Sequence, residues 1–447
     1  MTDTVFALAT APGRAAVAVM RLSGPATGAA LIALAGSLPK ARYASLRRLR
    51  DADGTVLDQA LVLWFPAPAS YTGEDGAELH LHGGAAVIDG VTRALLAAGL
   101  RLAQPGEFTR RAFENGKLDL GQAEAVADLI DAETGRQGRQ ALDQLGGALG
   151  RRHDVWRIVL VEVLARFEAV VDFPDEDLPA DAVTAVRGAL ERLRDGIGVA
   201  LSGSDRGRRI RDGYRIAVIG APNAGKSSIF NVLVGSDAAI VTAVAGTTRD
   251  VIEAVLTISG YRVVLADTAG LRHAEGLIEA EGVRRAHAWA HGADLRLWVV
   301  DQAAADDAWR NAVELVRPGD LCVLNKSDLP QGRDGVAALR FAPSRGLETM
   351  SATAASRRGL GGVWEAVNHR VVRDLAGSDF PAATRARHVD HLRRAHDHVL
   401  AALETLDQPE LAAEDVRLAA RSLARVTGVV GVEDVLDDLF ARFCVGK

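Results

Sequence analysis

Residues Gly220 to Ser227 read GAPNAGKS, which satisfies the phosphate-cradling pattern G-x-x-x-x-G-K-[ST]. Glycines let such a loop wrap a phosphate chain, while loop amides and a helix N-terminus supply donors and positive potential. In this pattern Lys226 reaches the β- and γ-phosphates and Ser227 ligates Mg²⁺, with Asn223, Ala224, Gly225 and Ser228 completing the cradle. Four further segments follow in the order that a guanine-nucleotide switch requires. GTTRD (Gly246 to Asp250) reads as a first switch, with Thr248 as the second Mg²⁺ ligand. YRVVLADTAG is a strand ending in Asp267, followed by Thr268, Ala269 and Gly270, the glycine amide being placed to sense a γ-phosphate. LCVLNKSD delivers Asn325, Lys326 and Asp328. The Asp328 carboxylate can accept two hydrogen bonds from the N1 and N2 edge of guanine, which adenine cannot offer. MSAT sets Ser351, Ala352 and Thr353 behind the base. Any one segment is weak, and NKSD alone is as easily a surface turn. All five in sequence predict GTP.

The loop needs a strand before it and a helix after it. YRIAVIG (Tyr214 to Gly220) is a short apolar run of strand character. SSIFNVLVG carries Ile229, Phe230, Leu233 and Val234 at helical spacing. One part of the expected apparatus is missing. Small GTPases commonly place a Gln directly after Asp-x-x-Gly to orient the attacking water, and here that position is Leu271. Either hydrolysis is very slow or another group orients water. Glu279, in the second switch region, is one candidate; its plain alternative is an exposed helical acid. Asn223 is another, placing a carbonyl oxygen on a monovalent cation beside the phosphates. Arg249 and Arg272 are alternative charge stabilisers.

The 447 residues suffice for roughly three domains. No run of about twenty apolar residues exists, so no membrane span is expected, and the N-terminus lacks the pattern of a signal peptide. Two cysteines make no disulfide framework, and a reducing cytoplasm is the expected setting. Cys322 falls in a predicted core strand. A net charge of −6 gives no global field for nucleic acid. RNA contact would be local, as at Arg206 to Arg211 or Arg385 to His396, although such runs are more often solvated faces or linkers.

Residues 1–116 mix strands with one clear helix, AAVIDGVTRALLAAG, an α+β pattern. VFALAT, AAVAVMRLSG, DQALVLWFPAP and GAELHLHGG read as strands, the last setting Ala77, Leu79 and Leu81 against Glu78, His80 and His82. Residues 117–212 turn helical, with Trp156, Leu160, Val163, Phe167 and Val170 on one face, and end in a polar, flexible SGSDRGRRIRDG. A compact α/β segment of Ras-like type spans 213–375, and residues 376–447 are helical again, with Leu392, Val399, Leu403 and Leu406 on one face. The expected architecture is multidomain: an α+β N-terminal domain, one discontinuous all-α domain, and an α/β P-loop GTPase domain inserted in it.

From end to end the chain resembles the MnmE (TrmE) family of tRNA-modification GTPases. The resemblance is carried by ATAPGRAAVAVMRLSG, YTGEDGAELHLHGG, QPGEFTRRAFENGKLDLGQAEAVADLI, VDFPDED, IVTAVAGTTRDV, DTAGLR and the terminal FCVGK. It implies an N-terminal domain that binds a reduced folate, 5-formyltetrahydrofolate or a relative, through Arg21, Glu78, Lys117 and Lys447, and that also makes a homodimer. It implies a K⁺ site at Asn223, Thr242, Val244 and Thr247, with Ala243, Ala245 and Gly246 in the same loop. Glu279 matches the family's water-activating glutamate, twelve residues after Asp267; Glu281 lies close by, but Glu279 keeps the E-x-x-G spacing to Gly282. Cys444 matches a near-terminal cysteine implicated in the modification chemistry, its plain alternative being a tail cysteine. The implied activity modifies carbon 5 of a wobble uridine in tRNA, together with a flavin-dependent partner of the MnmG/GidA family, as a heterotetramer. A ribosome-assembly switch GTPase and a folate-dependent one-carbon transferase regulated by GTP are the rivals.

Overall fold

The computed structural model describes residues 3–172, 180–235, 252–268, 277–354, 359–377 and 383–428, with 440, 443 and 446; the side chains of 171–172, 180–183, 277–283 and 311 lie outside that description. The chain forms two compact units, Met1–Ile130 with Asp143–Gly198 and Asp390–Lys447, and Asp131–Leu142 with Val199–Val389.

The first unit opens with six strands: β1 (Val5–Leu8), β2 (Val17–Ser23), β3 (Ser45–Arg50), β4 (Val56–Phe65), β5 (Gly76–His82) and β6 (Arg101–Leu102). They form one sheet in the order β3-β4-β5-β2-β1-β6, antiparallel except for the β1–β6 pair. Period-two patterning holds in β5, where Ala77, Leu79 and Leu81 are buried and His82 is exposed. Helices Thr27–Ala35 and Ala85–Ala97 cover one face through Leu31, Val91 and Leu95, packed with Phe6, Leu22, Leu49, Val62 and Trp64. Two of these elements are not evident from the sequence pattern. Helix Thr27–Ala35 is short and almost uniformly apolar, so it shows little amphipathic contrast. In β3, SLRRLR, only Leu49 is buried; the strand exists because β4 pairs with it at the sheet edge, where cations deter further pairing.

Helix Glu107–Glu114 is tied to this sheet by a buried guanidinium. Arg111, only 1% exposed, donates to Glu107 at 2.8 Å, to Asp3 at 2.9 Å and to Glu74 at 3.1 Å. A buried cation is tolerable only with such partners, and these link the chain start to the loop that carries Tyr71 and Thr72. Further on, helix Ala148–Asp172 buries Trp156, Leu160, Val163 and Phe167 and packs along helix Pro409–Thr427, two segments far apart in sequence. Phe440 and Phe443 pack on Leu120 and Ala123 of helix Leu120–Ile130.

The second unit holds β7 (Tyr214–Ile219), β8 (Ile252–Ile258), β9 (Tyr261–Asp267), β10 (Leu295–Asp301), β11 (Leu321–Asn325) and β12 (Glu348–Ser351). Their order is β12-β11-β10-β7-β9-β8, all parallel except the β8–β9 pair. Both faces are covered. Ile229 and Phe230 pack with Val363 and Val367 on one side, and Trp298 with Ala338 and Ala342 on the other. Every residue of β11 is buried, and burial pushes the Cys322 thiol up to about 12, leaving it an inert small hydrophobe. Because β9 and β10 flank β7 on opposite sides, the chain turns outward in opposite directions at the carboxyl end of β7, the switch point where α/β sheets take ligands.

The segment expected as a flexible linker is not one. SDRGRRIRD forms helix Ser204–Asp212, because Ile210 is buried and Arg209 pairs with Asp294 at 2.8 Å. Tertiary packing supplies what local composition does not. Among the described residues, no helix is long and apolar enough to cross a membrane.

Candidate functional site

β7 ends at Ile219 and the chain turns at Gly220, whose φ of 142° and closeness to β10 demand glycine; a Cβ there would lie 2.1 Å from the Val299 carbonyl oxygen. Gly225, at φ 95°, leads into helix Lys226–Val234. The loop thus leads from a strand end into a helix N-terminus, the strand–loop–helix setting that the motif requires. Lys226 is buried and donates to the Ala221 carbonyl at 2.8 Å. Ser227 Oγ donates to Asp267 Oδ2 at 2.6 Å, and Asp267 Oδ1 is buried without a hydrogen-bond partner. A hydroxyl beside a buried carboxylate with one unsatisfied oxygen is an oxygen donor set suited to a hard cation such as Mg²⁺.

The base end is built by β11 and the chain after β12. Asn325 Nδ2 donates to the Ala224 carbonyl at 2.7 Å, and its Oδ1 accepts from the Ala354 amide at 3.2 Å. Lys326, at φ 59°, pairs with Asp301 at 2.5 Å. Thr353 donates to Asp328 at 2.5 Å, and this hydrogen bond holds the exposed carboxyl below the usual carboxylate range. Asp328 is therefore an ionised acceptor at neutral pH, with one oxygen oriented by Thr353. Phosphate loop and base end line one open cleft of about 640 Å³ that includes Asn223, Gly225, Lys226, Ser227, Ser228, Asn325, Lys326, Asp328 and Thr353.

Other expected residues support the cleft without lining it. Ala224 and Ala352 are buried; Thr268 donates to Val218 at 2.7 Å, its hydroxyl engaged by β7; Ser351 ends β12. Pro222, Leu329 and Ala354, which no motif singles out, also line the cleft, and Asp301 holds Lys326. Asp301 did leave a signal: it ends a buried strand and lies in parallel register with Asn325. Thr242, Ala243, Val244, Ala245, Gly246, Thr247, Thr248, Ala269, Gly270, Leu271, Cys444 and Lys447 lie outside the described residues. Glu279 falls in the first turn of helix Leu277–His291, its side chain also outside them.

The first unit has a cavity of its own, of about 410 Å³, and Arg21, Glu78 and Lys117 all line it. Arg21 on β2 and Glu78 on β5 face each other across paired strands and form an ion pair at 3.0 Å. Arg21 also donates to the Gly446 carbonyl at 3.4 Å, next to Lys447 in sequence. Its guanidinium lies 5.6 Å from the centre of the Tyr71 ring and 5.9 Å from that of Phe108. Phe65 adds a third aromatic to the wall. Aromatic walls, one carboxylate and flanking cations suit a flat heteroaromatic with an amidine-like edge and an anionic tail. The aromatic residues come from separate segments, and no spacing links them.

Comparison with known proteins adds to this geometry. A family model for the N-terminus of the GTP-binding protein TrmE matches residues 4–117, and one for the MnmE helical domain matches residues 120–444. The tRNA modification GTPase MnmE of Phenylobacterium zucineum is 56% identical, covering all of both chains. The proteins of the same name from Caulobacter vibrioides and Parvibaculum lavamentivorans are 54% and 50% identical, again over all of both chains. Among solved structures, the G domain of the T. maritima FeoB iron transporter matches 35% of this chain and 98% of its own at 21% identity, with a TM-score of 0.27. Two family models that together span nearly the whole chain, and full-length relatives at half identity or better, place it: the chain belongs to the MnmE family.

Proposed function

We propose that this chain is a K⁺-activated GTPase that acts in tRNA modification, adding an aminomethyl-type group to carbon 5 of the wobble uridine with a flavin-dependent partner of the MnmG/GidA family. A reduced folate, 5-formyltetrahydrofolate or a relative, provides the one-carbon unit. Residues 1–116 bind that folate and dimerise, 117–212 and 376–447 form the helical domain, and 213–375 form the GTPase; the homodimer joins its partner as a heterotetramer in the cytoplasm. The observation that supports this reading most is that one chain carries both a phosphate-loop cleft lined by the Asp328 carboxylate and a separate aromatic cavity lined by Arg21, Glu78 and Lys117.

Within the cleft, Lys226 and the loop amides bind phosphates, and Asp328 reads the base. Ser227 and Thr248 hold Mg²⁺, and Asn223, Thr242, Val244 and Thr247 hold K⁺; when bound, the two ions supply positive charge beside the β- and γ-phosphates. Glu279 orients the attacking water, and Cys444 takes part in the modification. In the other cavity Glu78 accepts from the pterin edge, while Arg21, Lys117 and Lys447 face the ligand's anionic groups. Hydrolysis drives rearrangement of the complex, not the carbon chemistry.

Mass spectrometry of wobble nucleosides tests the whole. Cells lacking this protein should lose the modified uridine and regain it with the wild-type chain, and an unchanged nucleoside profile would refute the reading. A narrower test concerns the cation. With Leu271 where Gln is expected and Asn223 in the cleft wall, K⁺ should stimulate hydrolysis and Na⁺ only poorly. Equal rates in the two salts at matched ionic strength would sink the K⁺ assignment.

A further inference from the structure

The chain is acidic overall, yet residues 4–50 contain no Asp or Glu, and Lys40, Arg42, Arg47, Arg48 and Arg50 crowd into eleven positions. They occupy β3 and the approach to it, at the free edge of the sheet. None makes an ion pair among the described residues. Arg42 and Arg47 donate only to the backbone carbonyls of Ala69 and Leu46, whereas Arg50 donates to Gly54 and shares a hollow with Asp51 and Asp53. The nearest acid on β4, Asp58, is taken by His82 at 2.7 Å. Interleaved with the cations is Tyr43, 58% exposed, with the Lys40 ammonium 4.1 Å from its ring centre. Leu46 and Arg48 also point outward, away from buried Leu49.

The two basic runs that stand out in the sequence behave differently. Arg209 pairs with Asp294 and Arg211 with Asp212, each at 2.8 Å, and Arg394 pairs with Asp390 at 2.9 Å. Those runs are largely neutralised by their own neighbours. The 40–50 strip keeps its charge and adds an exposed aromatic, the combination that binds single-stranded nucleic acid by phosphate pairing and base stacking. It also leads somewhere. Arg42 belongs to the strip and lines the cavity of Arg21 and Glu78, where its guanidinium lies 5.7 Å from the centre of the Phe65 ring.

We propose that Lys40 to Arg50 is a docking strip for single-stranded RNA, the anticodon loop of the tRNA substrate. Lys40 and Arg48 pair with phosphates, Tyr43 stacks a base, and Arg42 carries the strand to the mouth of the one-carbon cavity. This rests on the reading of tRNA as substrate, and it names the surface that brings the uridine to the donor.

The test uses the full chain, a labelled anticodon stem–loop, and a salt titration of binding. Lys40→Gln with Arg48→Gln removes two phosphate contacts and should flatten the slope of log K against log salt by about 1.4. Tyr43→Ala should weaken binding roughly tenfold with little change in slope. Arg209→Gln with Arg211→Gln should leave both quantities as in the wild type. GTP turnover and reduced-folate binding should be unchanged in the strip variants, which excludes misfolding as the cause. Wild-type binding that the strip variants retain, with the same slope, would overturn the strip and leave the tRNA reading standing. Failure of the wild type itself to bind would overturn both. Loss of self-association in the strip variants, seen as a fall in solution mass, would make the strip a protein interface and also overturn it.

Discussion

Glu279→Ala should lower the GTP turnover rate by roughly two or more orders of magnitude, the usual range for a residue that orients or deprotonates an attacking water. GTP affinity should barely change. The groups proposed to bind the ground state, Lys226, Ser227, Asp328 and the loop amides, belong to a cleft built from other segments. Such a split, rate lost and affinity kept, marks an interaction made only in the transition state. The position follows from Leu271, which can neither donate nor accept a hydrogen bond and so leaves the water without its common partner. The comparison variant is Glu281→Ala, two residues along the same helix, and its effect should be mild. Turnover and nucleotide affinity measured on both variants separate the roles. A large affinity loss at Glu279, or a greater rate loss at Glu281, would show that the other carboxylate carries the chemistry.

Asp328→Asn should weaken GTP binding by roughly a hundredfold or more, because a site built to accept from N1 and N2 of guanine loses its charged acceptor. The amide presents a donor, so xanthosine triphosphate should gain what GTP loses. The fold should tolerate the change. Asp328 is exposed, and an Asn carbonyl can still accept from Thr353, which donates to Oδ1 in the native chain. Competition of GTP, ATP and xanthosine triphosphate against a fluorescent nucleotide on both chains reads the outcome. Equal affinity of the wild type for ATP and GTP would defeat the assignment of Asp328 as the base reader.

The GTPase cleft was legible because its geometry depends on residue types that few other arrangements demand. Gly220 and Gly225 have positive φ, and at each a Cβ would collide, with the Val299 carbonyl or with the Asn325 amide. Buried parallel strands likewise announce themselves as apolar runs such as YRIAVI and LCVLN. Legibility failed where structure depends on distant partners. β3 exists through its ladder with β4, and helix Ser204–Asp212 through Ile210 and Asp294. The aromatic wall of Phe65, Tyr71 and Phe108 is assembled by the sheet and by the Arg111 network, so no spacing rule encodes it. The identity of the cavity's polar residues came from family resemblance; what the fold adds is that Arg21, Glu78 and Lys117 meet around one space.

The hydrogen bond from Asn325 to Ala224 makes the end of β11 and the phosphate loop a single mechanical piece. The Asn325 side chain rests on the backbone of that loop, so close that a methyl group on Gly225 would lie 2.0 Å from its amide nitrogen. Under the proposed assignment of Asp328 as base reader, nucleobase choice and phosphate affinity are thus not separate dials. A redesign for another nucleotide has to leave Asn325 in place and work at Asp328 and Thr353, or transplant loop and strand end together as one cassette.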